Sequence, residues 1–257
     1  NAKYGARFYP VDNRSTTNII EKIKNGENFQ FNTVEVDINY GGEIVKMMSY
    51  PYDIMTNMIM FGTYHPSPRF YESEILEYIK SKFNGGVALD IGANIGNHSV
   101  FFSKFVFDRT FAFESNPKNF NILFENKKNN NIDDDKLTIY NVALSDDNHK
   151  YECHEFAENM GGSKVVEGEG ELLTKKLDEF DLPKVDFIKM DVEGHELKIL
   201  NGGINLINRD FPDIMLECDR HKESTFDMID SYMEQLNYRL IESFLYDKMY
   251  YYKHKSW

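Results

Sequence analysis

Cysteine is nearly absent: Cys153 and Cys218 are the two in 257 residues. They lack metal-ligand spacing and are too few for a disulfide scaffold, so they read as reduced thiols, and we expect a cytoplasmic protein. Long apolar runs are missing too. None approaches the roughly 20 residues needed to cross a bilayer, because charge interrupts the longest apolar cores within a few positions. No secretory signal is visible, and the chain opens on Asn1-Ala2 instead of Met, so we expect the native protein to begin elsewhere. Basic residues are scarce: 29 Lys and Arg face 42 Asp and Glu, a net charge of −13. A phosphate backbone needs a basic face. The short cluster Lys127-Lys128 is followed by Asp133-Asp134-Asp135, leaving no continuous basic stripe, so nucleic acid is disfavoured as a partner. Internal repeats and low-complexity segments are also absent, apart from the polar run 126–135, which reads as a loop after a helix.

What is present begins with Val87-Ala-Leu-Asp90-Ile-Gly92-Ala93-Asn94-Ile-Gly96-Asn97-His98. An apolar run ends in an acid, passes a glycine-bracketed turn and enters an apolar-periodic segment reaching Phe105: strand, tight loop, helix. Such a loop should offer free backbone N–H groups and a helix dipole at the carboxyl edge of a sheet, where small ligands dock. A dinucleotide fingerprint would need glycine where this chain has Asn94 and Asn97, which disfavours tight pyrophosphate packing. A second apolar run, Thr110 to Phe113, ends in Glu114, placed to accept both hydroxyls of a ribose. Ribose without pyrophosphate suggests a nucleoside cofactor, and S-adenosylmethionine is the common one. Its sulfonium is cationic, which suits an acidic protein.

The length fits one large domain or a domain with an extension. We expect an extension over residues 1–84: a short helix at Thr17–Lys24, a hairpin of Val34–Tyr40 and Ile44–Met47 around Gly41-Gly42, and an amphipathic helix from Arg69 to Phe83. Residues 85–257 then alternate, with strands at 87–91, 110–114, 137–142, 185–190 and 213–218, and helices at 95–106, 117–130, 194–207 and 223–236. Alternation of this kind predicts an α/β, doubly wound, mostly parallel sheet covered on both faces. Two last strands, Tyr238–Phe244 and Lys248–Tyr252, would form an antiparallel edge. The stretch 157–171, with Gly161-Gly162-Ser163 and alternating Glu and Gly over 167–171, reads as a lid or acceptor wall, or equally as a solvated turn.

A further block, Val185-Asp-Phe-Ile-Lys189-Met-Asp191-Val-Glu193-Gly194-His195-Glu196, delivers Asp191, Glu193 and His195 to the same carboxyl edge. Helix capping is the plain alternative for Asp191 and Glu193. Together, Asp90-Ile-Gly-Ala-Asn-Ile-Gly96, Ala112-Phe-Glu-Ser-Asn-Pro-Lys-Asn-Phe120, Asn141-Val-Ala-Leu-Ser145 and Lys189-Met-Asp-Val-Glu-Gly-His-Glu196 resemble the successive motifs of the FkbM-type methyltransferases, over about residues 70–220. The resemblance implies a seven-stranded, Rossmann-like methyltransferase sheet and S-adenosylmethionine-dependent methylation of hydroxyls on sugars or secondary metabolites. It implies that Asp90, Gly92, Ala93, Asn94, Gly96 and Asn97 surround the methionine end of the cofactor. Glu114 would hold the ribose with help from Ser115 and Asn116, and Ala143 and Leu144 would edge the adenine; Asp191 would also face the cofactor. Ser115-Asn116 stands where the family often has Glu-Pro-Asn, implying a slightly looser ribose contact.

Methyl transfer needs an aligned acceptor and a group that takes its proton. His195 is a candidate base because imidazole titrates near neutrality; His98 and His221 are comparably placed, and Asp191 and Glu193 complete the catalytic candidates. Asp191, Glu217 and Asp219 end neighbouring strands and could converge on Mg²⁺, an optional second cofactor. Motifs for other methylations are missing: there is no Asn-Pro-Pro-aromatic block and no Pro-Cys nucleophile. Three readings follow. The first is an O-methyltransferase acting on a small molecule or glycan. The second acts on a macromolecule (protein or RNA ribose), with 16 Tyr and 20 Phe available for a partner surface. The third is a non-catalytic cofactor-binding module. Self-association into a homo-oligomer is left open.

Overall fold

The computed structural model describes residues 7–8, 33–50, 59, 67–156, 159–168, 172–218, 226–244 and 248–256. The helix expected at Thr17–Lys24 lies outside them. The central sheet holds seven strands. In spatial order they are β13 (Tyr238–Phe244), β14 (Met249–His254), β12 (Asp213–Glu217), β11 (Phe187–Met190), β4 (Val87–Ile91), β5 (Arg109–Glu114) and β6 (Leu137–Asn141). From β12 to β6 all neighbours are parallel, whereas β14 and β13 pair antiparallel at one edge. The doubly wound α/β sheet and its antiparallel edge are therefore as expected. The strand order reverses between β4 and β11, and ligands of such sheets bind at the carboxyl ends there.

Alternation along the strands sorts residues onto two faces. On one, Ala88, Phe187 and Met215 pack with Ile75 and Ile79 of α1 (Ser73–Lys82), Phe101 and Phe102 of α2 (Asn97–Phe105), and Val36, Val45 and Met47 of the hairpin β2 (Val34–Tyr40) and β3 (Glu43–Ser49). On the other, Leu89, Ile91, Ile188 and Leu216 meet α4 (Glu196–Gly202), α5 (Ile204–Asp210) and α6 (Phe226–Gln235). The helix expected over 194–207 is two, parted at Gly203. A Cβ on Gly202 would lie 2.0 Å from the Ser145 carbonyl oxygen, so close packing there requires glycine.

The hairpin is fastened by two asparagines at the end of α3 (Pro117–Asn129), Asn126 in its last turn and Asn130 at its C-cap. Asn126 accepts from the Met48 N–H (2.6 Å) and donates to the Met48 carbonyl (3.0 Å) and the Ile95 carbonyl (2.7 Å). One turn on, Asn130 grips the Lys46 N–H (2.9 Å) and carbonyl (2.7 Å) in the same way. Each side-chain amide thus copies the donor–acceptor pair of a neighbouring strand. The polar run after Glu125 is for this reason partly helical and buried rather than a loop.

A second correction concerns 157–171. Its described part is strand: β9 (Asn159–Glu167) pairs antiparallel with β8 (Lys150–Phe156), Tyr151 opposite Glu167 and Cys153 opposite Val165. With β10 (Leu172–Lys175) and β7 (Ala143–Leu144) it makes a four-stranded sheet, order β7-β10-β8-β9. A short β1 (Arg7–Phe8) pairs antiparallel with β2. No helix among the described residues is long and apolar enough to cross a membrane.

Candidate active site

Beyond the carboxyl ends of β4, β5 and β11 lies a hollow of about 780 Å³, counted with its open mouth. Gly92, Ala93, Asn94, Asn97, Glu114, Ser115, Ala143, Leu144, Asp191, Glu193 and His195 all line it, as does His98. Asp90, Gly96 and Asn116 do not, and His221 lies outside the described residues.

The loop after β4 is folded by left-handed residues: Gly92 (φ 79°), Asn94 (φ 51°) and Gly96 (φ 88°). Glycine is required at 92, where a Cβ would stand 1.8 Å from the Asp191 carbonyl oxygen. The amides expected to be free are engaged. Gly92 and Ala93 N–H both donate to the Phe113 carbonyl (3.0 Å each), Asn94 N–H to Glu114 Oε2 (2.6 Å) and Gly96 N–H to the Ala93 carbonyl (2.8 Å). The loop's own folding absorbs these donors, so its contribution is shape. Gly96 faces α3, with Leu123 Cδ1 2.4 Å from its would-be Cβ.

Glu114 ends β5 and also accepts from the Asn116 N–H (2.7 Å, Oε1). Burial pushes its carboxyl up to about 7, against the pull of the Asn116 and Asn94 amides; Asp90 nearby adds to the rise. Two amides leave lone pairs on both oxygens for a ligand's hydroxyls. Asn116 caps α3 by accepting from Lys118 N–H (2.9 Å), and Asn97 clamps the main chain of Tyr71, accepting from its N–H (3.0 Å) and donating to its carbonyl (3.1 Å).

Asp90 is fully buried, behind the loop rather than in the hollow. It accepts from Ser99 Oγ (2.5 Å), and its Oδ1 stands 3.7 Å from Lys189 Nζ, which is 3.4 Å from Asp191 Oδ2. The register sets Lys189 beside Asp90 on adjacent parallel strands. Lys189 is 2% exposed. Burial alone would lower its ammonium, but Asp191, Asp90, Glu72 and Glu217 together raise it, so it stays charged. Nothing in the motif reading gave Lys189 a role; a lysine inside the apolar strand Phe187–Met190 was the signal.

Asp191 and Glu217 do converge, as a proton-sharing pair. Burial and the Asp191 charge drive the Glu217 carboxyl far above the carboxylate range, so it is protonated at neutral pH. Burial opposes ionisation of Asp191 as well, yet Lys189, the Glu217 hydrogen bond and His98 outweigh it and hold Asp191 low. Among the described residues no three His, Cys, Asp or Glu side chains are placed to hold a metal ion, and Asp219 lies outside them. Mg²⁺ gains no support.

Two further residues escaped the sequence. Tyr71 lines the hollow, its phenol raised by burial and by Glu72, Asp191 and Glu217. Glu72 Oε2 stands 3.1 Å from His98 Nε2. His195 Nε2 meets Ser145 Oγ at 3.1 Å, and burial, then Lys198, lowers its imidazole.

A family model described as the methyltransferase FkbM domain matches residues 90–240. Over 131 residues the chain is 35% identical to the hexuronic acid methyltransferase AglP of Haloferax volcanii, covering 47% of this chain and 51% of that protein. The chain thus spans about half the length of this curated relative. Its fold is similar to that of methyltransferase FkbM from Methylobacillus flagellatus KT (TM-score 0.51, 16% identity, 79% of this chain and 48% of that one).

Proposed function

Because the chain belongs to the FkbM methyltransferase family, we propose that it uses S-adenosylmethionine to methylate a hydroxyl of a sugar, glycan or secondary metabolite. The observation that carries this reading is Glu114: a buried carboxylate lining the hollow at the end of the second parallel strand, where the ribose of a nucleoside cofactor belongs. The lining charges also fit. Glu114, Asp191 and Glu193 outnumber Lys189, which favours a cationic ligand. Bound there, the cofactor would supply a methyl carbon activated by its sulfonium. Glu114 would take the ribose hydroxyls, and Ala143 and Leu144 would edge the adenine.

The acceptor follows from the same charges and from the relative. A hexuronic acid methyltransferase at 35% identity supports a sugar acceptor. The acids at the Asp191 end disfavour an anionic group beside the methyl, which supports a hydroxyl over a carboxylate. We treat residues 1–84 as an extension on a methyltransferase domain of 85–257, working in the cytoplasm, where its few thiols stay reduced.

Calorimetry with S-adenosylhomocysteine tests the first step: we expect saturable micromolar binding, and no heat would refute the reading. Transfer of a labelled methyl group to neutral glycosides, uronic acid glycosides, protein and RNA tests the second. The label should enter a neutral glycoside and survive alkali, as an ether does. Alkali-labile label would mean an ester, and label in protein or RNA would favour a macromolecular acceptor.

A further inference from the structure

Two histidines line the hollow, and their surroundings differ. His195 stands on the β7 wall against Ser145, next to Ala143 and Leu144. His98, in the first turn of α2, stands beside Asp191, and Tyr71 lines the hollow with it. Its ring leans on Phe102 (centroids 5.9 Å apart) and is 6% exposed. Glu72 occupies the N-cap position of α1 in a left-handed conformation (φ 52°, ψ 40°), yet its side chain caps nothing. Instead it turns to His98, both side chains being 7% exposed. Glu72 Oε2 and His98 Nε2 are buried, 3.1 Å apart, and neither sits in an aligned hydrogen bond. Loose catalytic hydrogen bonds are common before a substrate complex forms. A strained, non-capping acid aimed at a buried imidazole is an arrangement that costs stability, of the kind that collects at active sites. The Asn97 clamp on the Tyr71 main chain holds it in place.

We propose that His98 is the group that takes the acceptor's proton, with Glu72 as its positioning residue. This rests on the methyl-transfer reading above. Asp191 is the poorer base, because Lys189 and Glu217 already hold its charge. In the step, the acceptor oxygen forms its bond to the methyl carbon, and the carbon–sulfur bond breaks with its electron pair left on sulfur. The hydroxyl proton passes to His98 Nδ1, the ring nitrogen turned from Glu72. Glu72 fixes the tautomer through Nε2–H and offsets the imidazolium charge until the proton leaves to water. The acid comes from outside the family-matched residues 90–240.

Long-range proton–nitrogen spectra of the histidine-labelled parent, followed as the pH is raised, should show that the neutral form of His98 is protonated on Nε2 and bare on Nδ1; a ring still doubly protonated where turnover is greatest would overturn the proposal. Glu72→Gln should abolish that single-tautomer signature. His98→Gln should bind S-adenosylhomocysteine within about threefold of the parent, while kcat on the acceptor used falls about 100-fold or more and KM changes little. A bare Nε2 in the parent, parental turnover in His98→Gln, or a more than tenfold loss of S-adenosylhomocysteine affinity in that variant would each overturn the proposal. A parent that binds no S-adenosylhomocysteine would instead fail the methyl-transfer reading, and the spectra decide the tautomer independently of it.

Discussion

The two ends of the hollow are built by different means. At the Glu114 end, main chain does the shaping: a run of neighbours from Gly92 to Gly96 folds on left-handed residues and is tied to β5 by backbone amides. At the Asp191 end, side chains do it, gathered from Tyr71-Glu72, Asp90, His98, Lys189 with Asp191, and Glu217. The first end can be specified locally, because its left-handed dihedrals fall on Gly92, Asn94 and Gly96, residue types that tolerate them. The second exists only once strands β4, β11 and β12 are in register.

Gly92 joins the two ends and gives the largest expected effect. Gly92→Ala drives a Cβ into the Asp191 carbonyl, so we expect a loss above about 4 kcal/mol in urea unfolding, with no cofactor binding. Gly41→Ala, also at positive φ but with open space around it, should cost only about 1 kcal/mol; equal losses would deny the contrast. Lys189→Met strands Asp90 as a fully buried acid and takes the counter-charge from the partly exposed Asp191; it should cost about 3–5 kcal/mol, checked by the same melt. Asn126→Ala leaves the Met48 main chain without its partner and should cost about 2–3 kcal/mol, with earlier proteolysis ahead of residue 50. The smallest effect isolates the Glu114 end. Its carboxyl, raised to about 7, is ionised above that pH and protonated below it. Affinity for S-adenosylhomocysteine should therefore fall roughly tenfold from pH 8 to pH 6, and Glu114→Gln should flatten the profile.

Sequence carried the Glu114 end well. The strand–loop–helix at Val87 to Phe105 and the acid closing the next strand can be read from apolar runs and glycines. It also suggested amides waiting for a ligand, which the Phe113 carbonyl and Glu114 in fact occupy; periodicity does not show where an N–H will point. Asp191 and Glu217 were legible as strand-end acids, but their shared proton depends on burial. Lys189 stood in the quoted motif without a role, since its partner Asp90 lies nearly a hundred positions earlier and only register joins them. Tyr71 and Glu72 gave no signal at all. The small sheet of β7 to β10 was missed because glycines at 161 and 162 read as a turn, whereas they sit at a register shift inside β9, whose pairing with β8 holds on either side, at Asn159 and from Lys164 to Glu167.

The asparagines on α3 bind the hairpin only through its peptide groups, which every residue type except proline presents alike. That makes the attachment indifferent to what the hairpin displays. Residue types along its outward face can therefore change from one descendant to the next while the joint to α3 stays intact.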